Sequence, residues 1–572
     1  MNLWIDGRQV EAVPGERLLD AVRRLGLDHP ELSRRPLAAR IAGETFTLNY
    51  VPQREEQEDP AAMRRAMEAS GGRITLLRYA DSRGRQVYTR TVQFVLFLAI
   101  RQLYPGAVAK MNFTVGQTLN VTVEKEPAFT PGDVPALKER VAQLVEMDIP
   151  LLRKRITTQE AMAAFAAGGQ VDQARLLSWR KTPYFDVYTY GDYMDYFYGE
   201  MAPSTGYLSV WDLVSDGGTG VQFCFPDSGN PDRVCQYREL PNFSAVFAES
   251  ERWCHLMGCS TVADLNDLVQ QGRLSELIRV NEALHERSFS QIADQILQRE
   301  AKAVLLAGPS SSGKTTSANR LAVQLRVRGK QPVLISLDDY YRDRDTIAPG
   351  PDGKLDLEHI NTIDTDLFRQ HLSALLQGQR VQLPRFDFLT GRRTDTGKTL
   401  ELDGDAIIIV EGLHGLNPVL LPKDVEKHLI FRMYVSALLP LNLDNHNRIP
   451  TSYLRLLRRI VRDYETRGAS VSHTLAMWDS VRQGEERWIF PYQEHADVIF
   501  NSSLLYELAV LKKHIFPLLN AVTWEDPCYE EVRSIVKVLN YVLEADPEEE
   551  IPPTSLLREF IGGNSFYRQK AK

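Results

Sequence analysis

The chain has 572 residues, of which 43% are hydrophobic and 25% are charged, and its net charge is −8. A single hydrophobic core does not usually serve so long a chain, so we expect about three domains. The negative charge excludes a generally basic nucleic-acid-binding protein, although a local basic patch remains compatible with it. Five cysteines in this length argue against a disulfide framework. No apolar run reaches the ~20 residues of a membrane-spanning helix, so we expect a cytoplasmic protein without membrane contact.

Residues 1–60 have the pattern of a small β-rich unit. Asp6-Gly7 is a favoured hairpin turn between two short strand patterns. The predicted elements are strands at residues 2–5 and 8–12, a helix at 18–25, and strands at 38–41 and 46–50. This order resembles the β-grasp TGS domain that opens threonyl-tRNA synthetases, and the resemblance implies a β-grasp domain. Another small α+β module is the alternative.

Residues 61–285 contain an apolar helix pattern at 90–107 and an aromatic stretch at 187–206. Both segments resemble the second additional domain of threonyl-tRNA synthetases, an α+β domain that edits mischarged tRNA. That domain carries histidines and a cysteine at its editing site, whereas the matching positions here hold Arg90, Phe94, Phe197 and Met201. These side chains cannot form a metal site. We therefore expect that this region retains the editing scaffold without its hydrolytic activity, and that helices between residues 261 and 299 link it to the next domain.

The aromatic residues between positions 184 and 198 allow two interpretations. They could stack on a nucleic-acid or nucleotide ligand, so RNA binding by the N-terminal half is one open prediction. They could instead form a buried core, and their strand-like alternation favours this second interpretation.

A phosphate-binding loop begins the C-terminal half. An apolar strand at 303–307 leads into G-x-x-x-x-G-K-[ST], and helix and strand patterns follow at 316–328 and 332–337. The predicted ATP-binding residues are Gly308, Pro309, Ser310, Ser311, Ser312, Gly313, Lys314, Thr315 and Thr316. In this motif the lysine reaches the β- and γ-phosphates and the following hydroxyl binds Mg²⁺. We therefore expect ATP and Mg²⁺ as cofactors, with Thr315 as a metal ligand.

Five further segments, in order, resemble the uridine kinase/phosphoribulokinase family. They lie at residues 336–341, 357–360, 383–388, 407–412 and 455–468. The resemblance implies an α/β P-loop kinase domain, with a parallel sheet and flanking helices, over residues 286–525. Residues 526–572 then form a C-terminal tail, with an acidic surface connector at 545–553 and a short helix within 555–566.

The chemistry and the resemblance together suggest roles for the acidic residues. Asp338 ends a strand, where ligands bind in open parallel sheets, and would act as the general base for the acceptor hydroxyl. Glu411 ends an apolar strand and would lie close to Mg²⁺. A structural cap is the alternative for both residues. Glu358 matches the family position that holds ribose hydroxyls.

Arginines are concentrated at residues 455–467. Arg455, Arg458, Arg459 and Arg462 have the spacing of one helix face. Arg459, Arg462 and Arg467 match the family's substrate- and phosphate-contacting positions, so Arg462 and Arg467 are predicted to be catalytic and Arg459 to bind substrate. A solvated charged face is the alternative.

The pattern departs from uridine kinases where those enzymes recognise the base. Phe386 replaces a tyrosine, and Gly391 falls at a histidine position. Uridine specificity therefore cannot be transferred, although Phe386 still lies in the predicted acceptor site and Arg393 is a candidate replacement donor.

The sequence thus predicts an ATP-dependent nucleoside kinase that phosphorylates a 5′-hydroxyl of a small-molecule acceptor. A kinase of another small alcohol, as phosphoribulokinases are, is one alternative. An RNA- or nucleotide-responsive ATPase switch is the other, and the oligomeric state stays open.

Overall fold

The chain begins with a five-stranded mixed sheet in the computed structural model, which describes residues 2–11, 13, 15–51, 70–347, 356, 358–388 and 390–566. Its strands are β1 (Asn2–Ile5), β2 (Arg8–Glu11), β3 (Ala38–Ile41), β4 (Glu44–Thr47) and β5 (Arg73–Leu77), and α1 (Leu18–Arg24) packs on it. The strand order is β2-β1-β5-β3-β4. Asp6 and Gly7 both have positive φ, at 46° and 78°, as the predicted hairpin turn requires.

Two boundaries in this region differ from the prediction. Strand β4 begins at Glu44 rather than at Phe46, because Ala42 and Gly43 form a two-residue turn with φ of 48° and 90° and Ile41 pairs directly with Glu44. Strand β5 lies beyond residue 60 and fills the position between β1 and β3. The sheet therefore extends past the predicted domain boundary, and residues 52–69 lie outside the described part of the chain.

A long buried helix organises the next region. The elements are α2 (Ser82–Leu103), β6 (Val108–Val115), β7 (Thr118–Glu124), α3 (Val134–Glu146), β8 (Arg153–Thr157), α4 (Thr158–Ala167), α5 (Val171–Leu177), β9 (Tyr184–Tyr190), β10 (Tyr193–Asp195), β11 (Asp212–Ser215) and β12 (Gly220–Cys224). They form two antiparallel sheets, ordered β11-β12-β7-β6 and β10-β9-β8. Tyr188, Tyr193, Tyr196 and Phe197 are buried, which confirms an aromatic core rather than a stacking surface for these four residues.

The four positions that match the editing site are placed in this core or against it. Phe94, Phe197 and Met201 are buried among apolar side chains. Arg90 lies against Gly199, and its Nη1 donates to the backbone carbonyl of Glu200 at 3.3 Å. The region's likeness to a synthetase editing domain stays a prediction.

Three helices connect the two halves: α6 (Pro241–Leu256), α7 (Val262–Gln270) and α8 (Leu274–Gln298). Helix α8 is continuous over 25 residues. No glycine or proline interrupts it, and Ser288 donates its hydroxyl hydrogen to the Leu284 carbonyl within the same helix.

A five-stranded parallel sheet forms the centre of the C-terminal half. The elements are β13 (Ala303–Ala307), α9 (Lys314–Val327), β14 (Gln331–Ser336), α10 (Thr365–Leu376), β15 (Val381–Asp387), β16 (Arg392–Leu400), β17 (Ala406–Glu411), β18 (Ile430–Ser436), α11 (Thr451–Arg467), α12 (Val471–Trp488), β19 (Val498–Asn501) and α13 (Glu507–Asn520). The strand order is β14-β17-β13-β18-β19, with every pair parallel. The predicted parallel sheet with flanking helices is confirmed, and it brings all five carboxyl ends to one edge.

The two halves interlock through the loop at residues 441–448, which joins β18 to α11. The Met111 amide donates to the Asn445 carbonyl at 2.8 Å. The His446 ring and the Asp195 carboxylate are 2.7 Å apart, and both residues are buried. Each of the described helices is too short or too polar to cross a membrane.

The C-terminal segment packs against the rest of the C-terminal half. Helices α14 (Tyr529–Leu539) and α15 (Arg558–Ile561) pack on the C-terminal half, and α15 is a short helix within 555–566, as predicted. Ile551, Leu556, Leu557 and Phe560 are all buried at 0–1% exposure. These apolar side chains complete the core around α11 and α13, whereas the predicted acidic connector at 545–553 is exposed or half-buried except at Ile551.

We predict that Phe560→Ala destabilises the protein by about 3–5 kcal/mol, because it removes a buried aromatic ring. The change would appear as a lower midpoint of denaturant unfolding. Trp524→Ala is the matched control, since Trp524 is 70% exposed, and it should cost less than ~0.5 kcal/mol. Equal midpoints for the two variants would show that the segment is a dispensable tail.

Candidate active site

The phosphate-binding loop begins where β13 ends and leads into α9. A side chain at Gly308 would clash with the Val435 carbonyl, so glycine is required there. Gly313 caps α9 with φ of 88°, a conformation that also favours glycine. The first amides of α9 have no partners within the helix and point toward the loop. Lys314 Nζ donates to the Pro309 carbonyl at 3.1 Å, so the lysine curls back over the loop.

Two carboxylates lie beside this lysine because of the register of the sheet. Glu411, at the end of β17, pairs with Leu306 on β13 and with Ser336 on β14. Ser336 Oγ donates to Glu411 Oε1 at 3.1 Å. Asp338 follows two residues after Ser336, which places it at the same edge. The structure thus brings together Lys314, Asp338 and Glu411, as the sequence predicted.

The charges of these three groups are coupled. Burial raises the pKa of Glu411 to about 7, and the negative charge of Asp338 adds to the effect. Burial also raises the pKa of Asp338, while the Lys314 ammonium opposes the shift. Burial lowers the pKa of Lys314, and both carboxylates oppose that shift. A carboxylate with a raised pKa is a better proton acceptor, which suits Asp338 to general base catalysis.

Three arginines of α11 gather around one aspartate. Asp463 lies 3.3 Å from Arg459 Nε, 2.8 Å from Arg462 Nη2 and 3.5 Å from Arg467 Nη1. Arg459 Nη1 also donates to Ser310 Oγ at 3.0 Å, which places this cluster directly over the loop. A single aspartate cannot neutralise three cations, so the cluster retains positive charge.

Two of these arginines interact electrostatically with the groups beneath them. The Arg462 cation is one of the charges that lower the pKa of Lys314. The Arg467 cation opposes the rise in the pKa of Asp338. The solvated-face alternative therefore does not describe Arg459 and Arg462, whose side chains are 9% and 17% exposed, whereas Arg467 is 60% exposed.

The other two arginines of the predicted helix face have a structural role. Both terminal nitrogens of Arg455 donate hydrogen bonds to the Glu485 carboxylate, at 2.5 and 2.6 Å. Arg458 donates to both oxygens of Glu507, at 2.7 and 3.0 Å. The two arginines are 1% and 0% exposed. The predicted common face is therefore divided, because the partner glutamates come from α12 and α13.

Glu358 is the strongest candidate on the acceptor side. Its side chain packs so closely on Gly484 of α12 that a Cβ there would clash with it. Its Oε2 is buried and has no hydrogen-bond partner. Burial raises the pKa of Glu358 to about 7, with the negative Glu485 adding to the shift and Arg459 opposing it. The unused oxygen can accept a hydrogen bond from an acceptor hydroxyl.

The structure places Phe386 and Arg393 opposite each other in the β15–β16 hairpin. Phe386 is buried, with its ring centroid 5.5 Å from that of Tyr341. Arg393 Nη1 donates to Asp364 Oδ2 at 3.0 Å, and its backbone amide donates to Asp343. Asp364, at the start of α10, therefore already accepts from one N–H group of Arg393, and the role of Arg393 as a donor to the acceptor stays a prediction.

Two carboxylates that the sequence analysis did not identify contact the phosphate-binding loop and the start of α9. Glu485 Oε1 accepts from the Ser310 amide at 3.0 Å. Glu559 Oε2 accepts from the Thr316 amide at 3.2 Å and from its hydroxyl at 2.6 Å. Both glutamates are more than 150 positions away in sequence and belong to no motif, so no sequence signal could have revealed them.

The oxygen donors at the loop suit Mg²⁺, which keeps some of its waters, better than a metal ion that protein side chains enclose completely. The described residues contain no group of three or more His, Cys, Asp or Glu side chains that could hold an ion on its own. Mg²⁺ keeps several waters and usually takes one or two protein oxygens together with substrate phosphates. The partly exposed Thr315 at the start of α9, and Glu411 at the neighbouring strand end, supply oxygens of that kind.

Comparisons with known proteins concern the C-terminal half. Residues 304–506 match the Phosphoribulokinase / Uridine kinase family. A uridine kinase of Vibrio atlanticus is 31% identical over 221 residues, which are 38% of this chain and 95% of that relative. A uridine kinase of Brevibacillus brevis is 30% identical over 195 residues, which are 34% of this chain and 81% of the relative.

A solved structure of a possible uridine kinase from Bacillus stearothermophilus is 19% identical in sequence, with a TM-score of 0.26. The match covers 38% of this chain and 98% of the chain in that structure. The likeness of residues 1–285 to threonyl-tRNA synthetases stays a prediction. Because one relative at 31% identity is matched over 95% of its length, this chain belongs to the phosphoribulokinase/uridine kinase family through its C-terminal half.

Proposed function

We propose that the protein is an ATP- and Mg²⁺-dependent kinase that transfers the γ-phosphoryl group to the 5′-hydroxyl of a nucleoside. The observation that carries the proposal is the convergence of Lys314, Asp338 and the arginine cluster around the phosphate-binding loop. A cation, a base and a phosphate clamp at one edge of a parallel sheet are the parts that phosphoryl transfer needs. The relatives named uridine kinase support a nucleoside as acceptor.

In the proposed mechanism the loop amides and Lys314 hold the phosphates of ATP. Asp338 accepts the proton of the acceptor hydroxyl while the oxygen of that hydroxyl forms a bond to the γ-phosphorus. The bond between the γ-phosphorus and the oxygen that bridges it to the β-phosphorus breaks, which releases ADP. Arg462 and Arg467 stabilise the charge on the transferring group. Mg²⁺, bound through the Thr315 hydroxyl with Glu411 close by, would neutralise part of the phosphate charge.

The acceptor would lie between Asp338 and Glu358. The unpaired Glu358 oxygen can accept from a ribose hydroxyl, and a buried carboxylate in this position disfavours acceptors that offer no donor. The neighbouring Phe386 is apolar and discriminates weakly between bases. We therefore expect a preference for the sugar and a broad tolerance of the base.

A panel of nucleosides and sugar alcohols with γ-labelled ATP tests this function. We expect label on the 5′-hydroxyl of one or more nucleosides. Transfer only to a sugar alcohol would favour the phosphoribulokinase-like alternative. Release of labelled phosphate without any labelled acceptor, unaffected by nucleosides, would favour an ATPase switch.

We predict that Asp338→Asn lowers kcat by about 10²–10⁴-fold, because the amide cannot accept the proton. The KM for ATP should change little, since the variant keeps its shape. Asp339→Asn is the matched control: Asp339 Oδ1 accepts from the Phe386 amide at 3.3 Å, so this variant should retain most of the activity. Steady-state kinetics on the labelled acceptor measure both, and full activity in Asp338→Asn would contradict the mechanism.

Arg467→Ala and Arg458→Ala should separate catalysis from stability. Arg467 is 60% exposed, so its loss should leave the melting temperature nearly unchanged, yet lower kcat by about 10²–10³-fold as a phosphate clamp is removed. Arg458→Ala should instead destabilise the fold by about 3–5 kcal/mol, because it leaves the buried Glu507 charge unpaired. A parallel measurement of melting and kinetics would refute this assignment if Arg467→Ala unfolded easily or kept full activity.

We predict that kcat/KM falls as the pH is lowered through about 7, because the Glu358 and Glu411 carboxyls have pKa values raised to about 7 and lose their charge below it. A raised pKa means that the charged form is present only above that pH. Kinetics between about pH 6 and 8.5 measure the profile. Glu358→Gln should lose the part of the acidic limb that Glu358 contributes, and a flat parent profile would contradict the prediction.

A further inference from the structure

The C-terminal segment places a carboxylate on the first turn of α9. Glu559 Oε2 accepts from both the backbone amide and the hydroxyl of Thr316, at 3.2 and 2.6 Å. Asn564, which is buried, donates to the same hydroxyl oxygen at 3.3 Å. The contact joins residues 243 positions apart, so it is a product of the tertiary fold.

The two donors of Thr316 belong to the predicted phosphate site. Thr316 follows Lys314 and Thr315 directly, and its amide belongs to the first turn of α9, which begins at Lys314. Such amides, together with a hydroxyl on the same turn, bind the oxygens of phosphate. A carboxylate oxygen and a phosphate oxygen would therefore compete for the same donors.

A comparison with Glu485 shows what is unusual about Glu559. Glu485 also accepts from a loop amide, but Arg455 and Arg482 pair with it and neutralise its charge. In the part of the chain that the structure describes, no arginine or lysine forms an ion pair with Glu559. Its charge is felt instead by Lys314, whose pKa it raises against the effect of burial.

The backbone that carries Glu559 is firmly anchored. Leu556, Leu557 and Phe560 are buried, and Ser555 Oγ donates to Glu282 Oε1 at 2.6 Å. Departure of the whole segment would expose these apolar side chains to water, which is costly. Glu559 itself is only partly buried, so its side chain can rotate away from Thr316 while the segment stays in place.

We propose that Glu559 is an intrinsic competitor for the phosphate of ATP at Thr316 and that it lowers the affinity of the protein for ATP. Nucleotide binding requires the Glu559 side chain to rotate away. This inference rests on the proposed ATP site and adds a residue from outside the family match, which ends at residue 506.

Glu559→Gln tests the proposal by removing the charge while keeping the size. We expect ATP, measured by titration calorimetry with Mg²⁺, to bind about tenfold more tightly, which corresponds to about 1.4 kcal/mol. Glu559→Ala should show a gain of the same sign. Glu549→Gln is the matched control, because Glu549 lies on the same segment and is exposed, and its affinity should equal that of the parent.

Inorganic tripolyphosphate is the second probe, because it lacks the adenosine group. The gain in Glu559→Gln should appear with this ligand too, since the competition is for phosphate. Unchanged ATP affinity, or weaker ATP binding in Glu559→Gln, would overturn the proposal, and so would a gain for ATP that is missing for tripolyphosphate.

These binding measurements need no acceptor, so they separate this inference from the proposed function. Tighter binding without phosphorylation of any nucleoside would retain the inference and refute the function. Nucleoside phosphorylation with equal ATP affinities would do the reverse. If neither the parent nor the variants bind ATP, both fail.

Discussion

Two buried ion pairs hold the arginine-rich helix against the phosphate-binding loop. Arg455 pairs with Glu485 and Arg458 with Glu507, and both arginines also reach carbonyl groups of the loop, at Ser310 and Ser311. Buried charges of this kind are tolerated only when they are fully paired and hydrogen-bonded. The pairs therefore fix the position of α11 as a rigid unit. They also place Arg459, Arg462 and Arg467, which share the single aspartate Asp463, above the loop.

The N-terminal half contacts the loop that leads into the arginine-rich helix α11. The loop at residues 441–448 leads directly into α11, and it is held by buried polar contacts to β10 and its neighbours. The Tyr196 hydroxyl donates to Asp444, and His446 pairs with Asp195 and stacks on Phe97. Polar groups buried between two domains are costly when unpaired, so these contacts favour one relative placement of the halves. The position at which α11 begins thus depends on residues far from the kinase motifs.

Acidic groups dominate the floor of the candidate site, whereas cations lie above it. Asp338, Glu358 and Glu411 all have raised pKa values because burial disfavours their charged forms. Lys314 and the arginine cluster stabilise the carboxylates in return. This balance makes the site sensitive to added charge. It explains why a further carboxylate, Glu559 on Thr316, matters to the binding of a polyphosphate.

The sequence by itself determined the local parts of this protein. The glycine spacing specified the loop at residues 308–315, and apolar runs specified the strands that end in Asp338 and Glu411, because backbone conformation and strand burial are short-range properties. It also identified Arg459, Arg462 and Arg467 as the arginines of interest. Only the tertiary structure decided which arginines form buried ion pairs away from the site, since the partners of Arg455 and Arg458 come from other helices. Likewise only the packed structure shows that Asp364 pairs with Arg393, and that the residues after the acidic connector enter the core and place Glu559 on Thr316. Pairings across hundreds of residues depend on how the elements pack, and no local pattern encodes them.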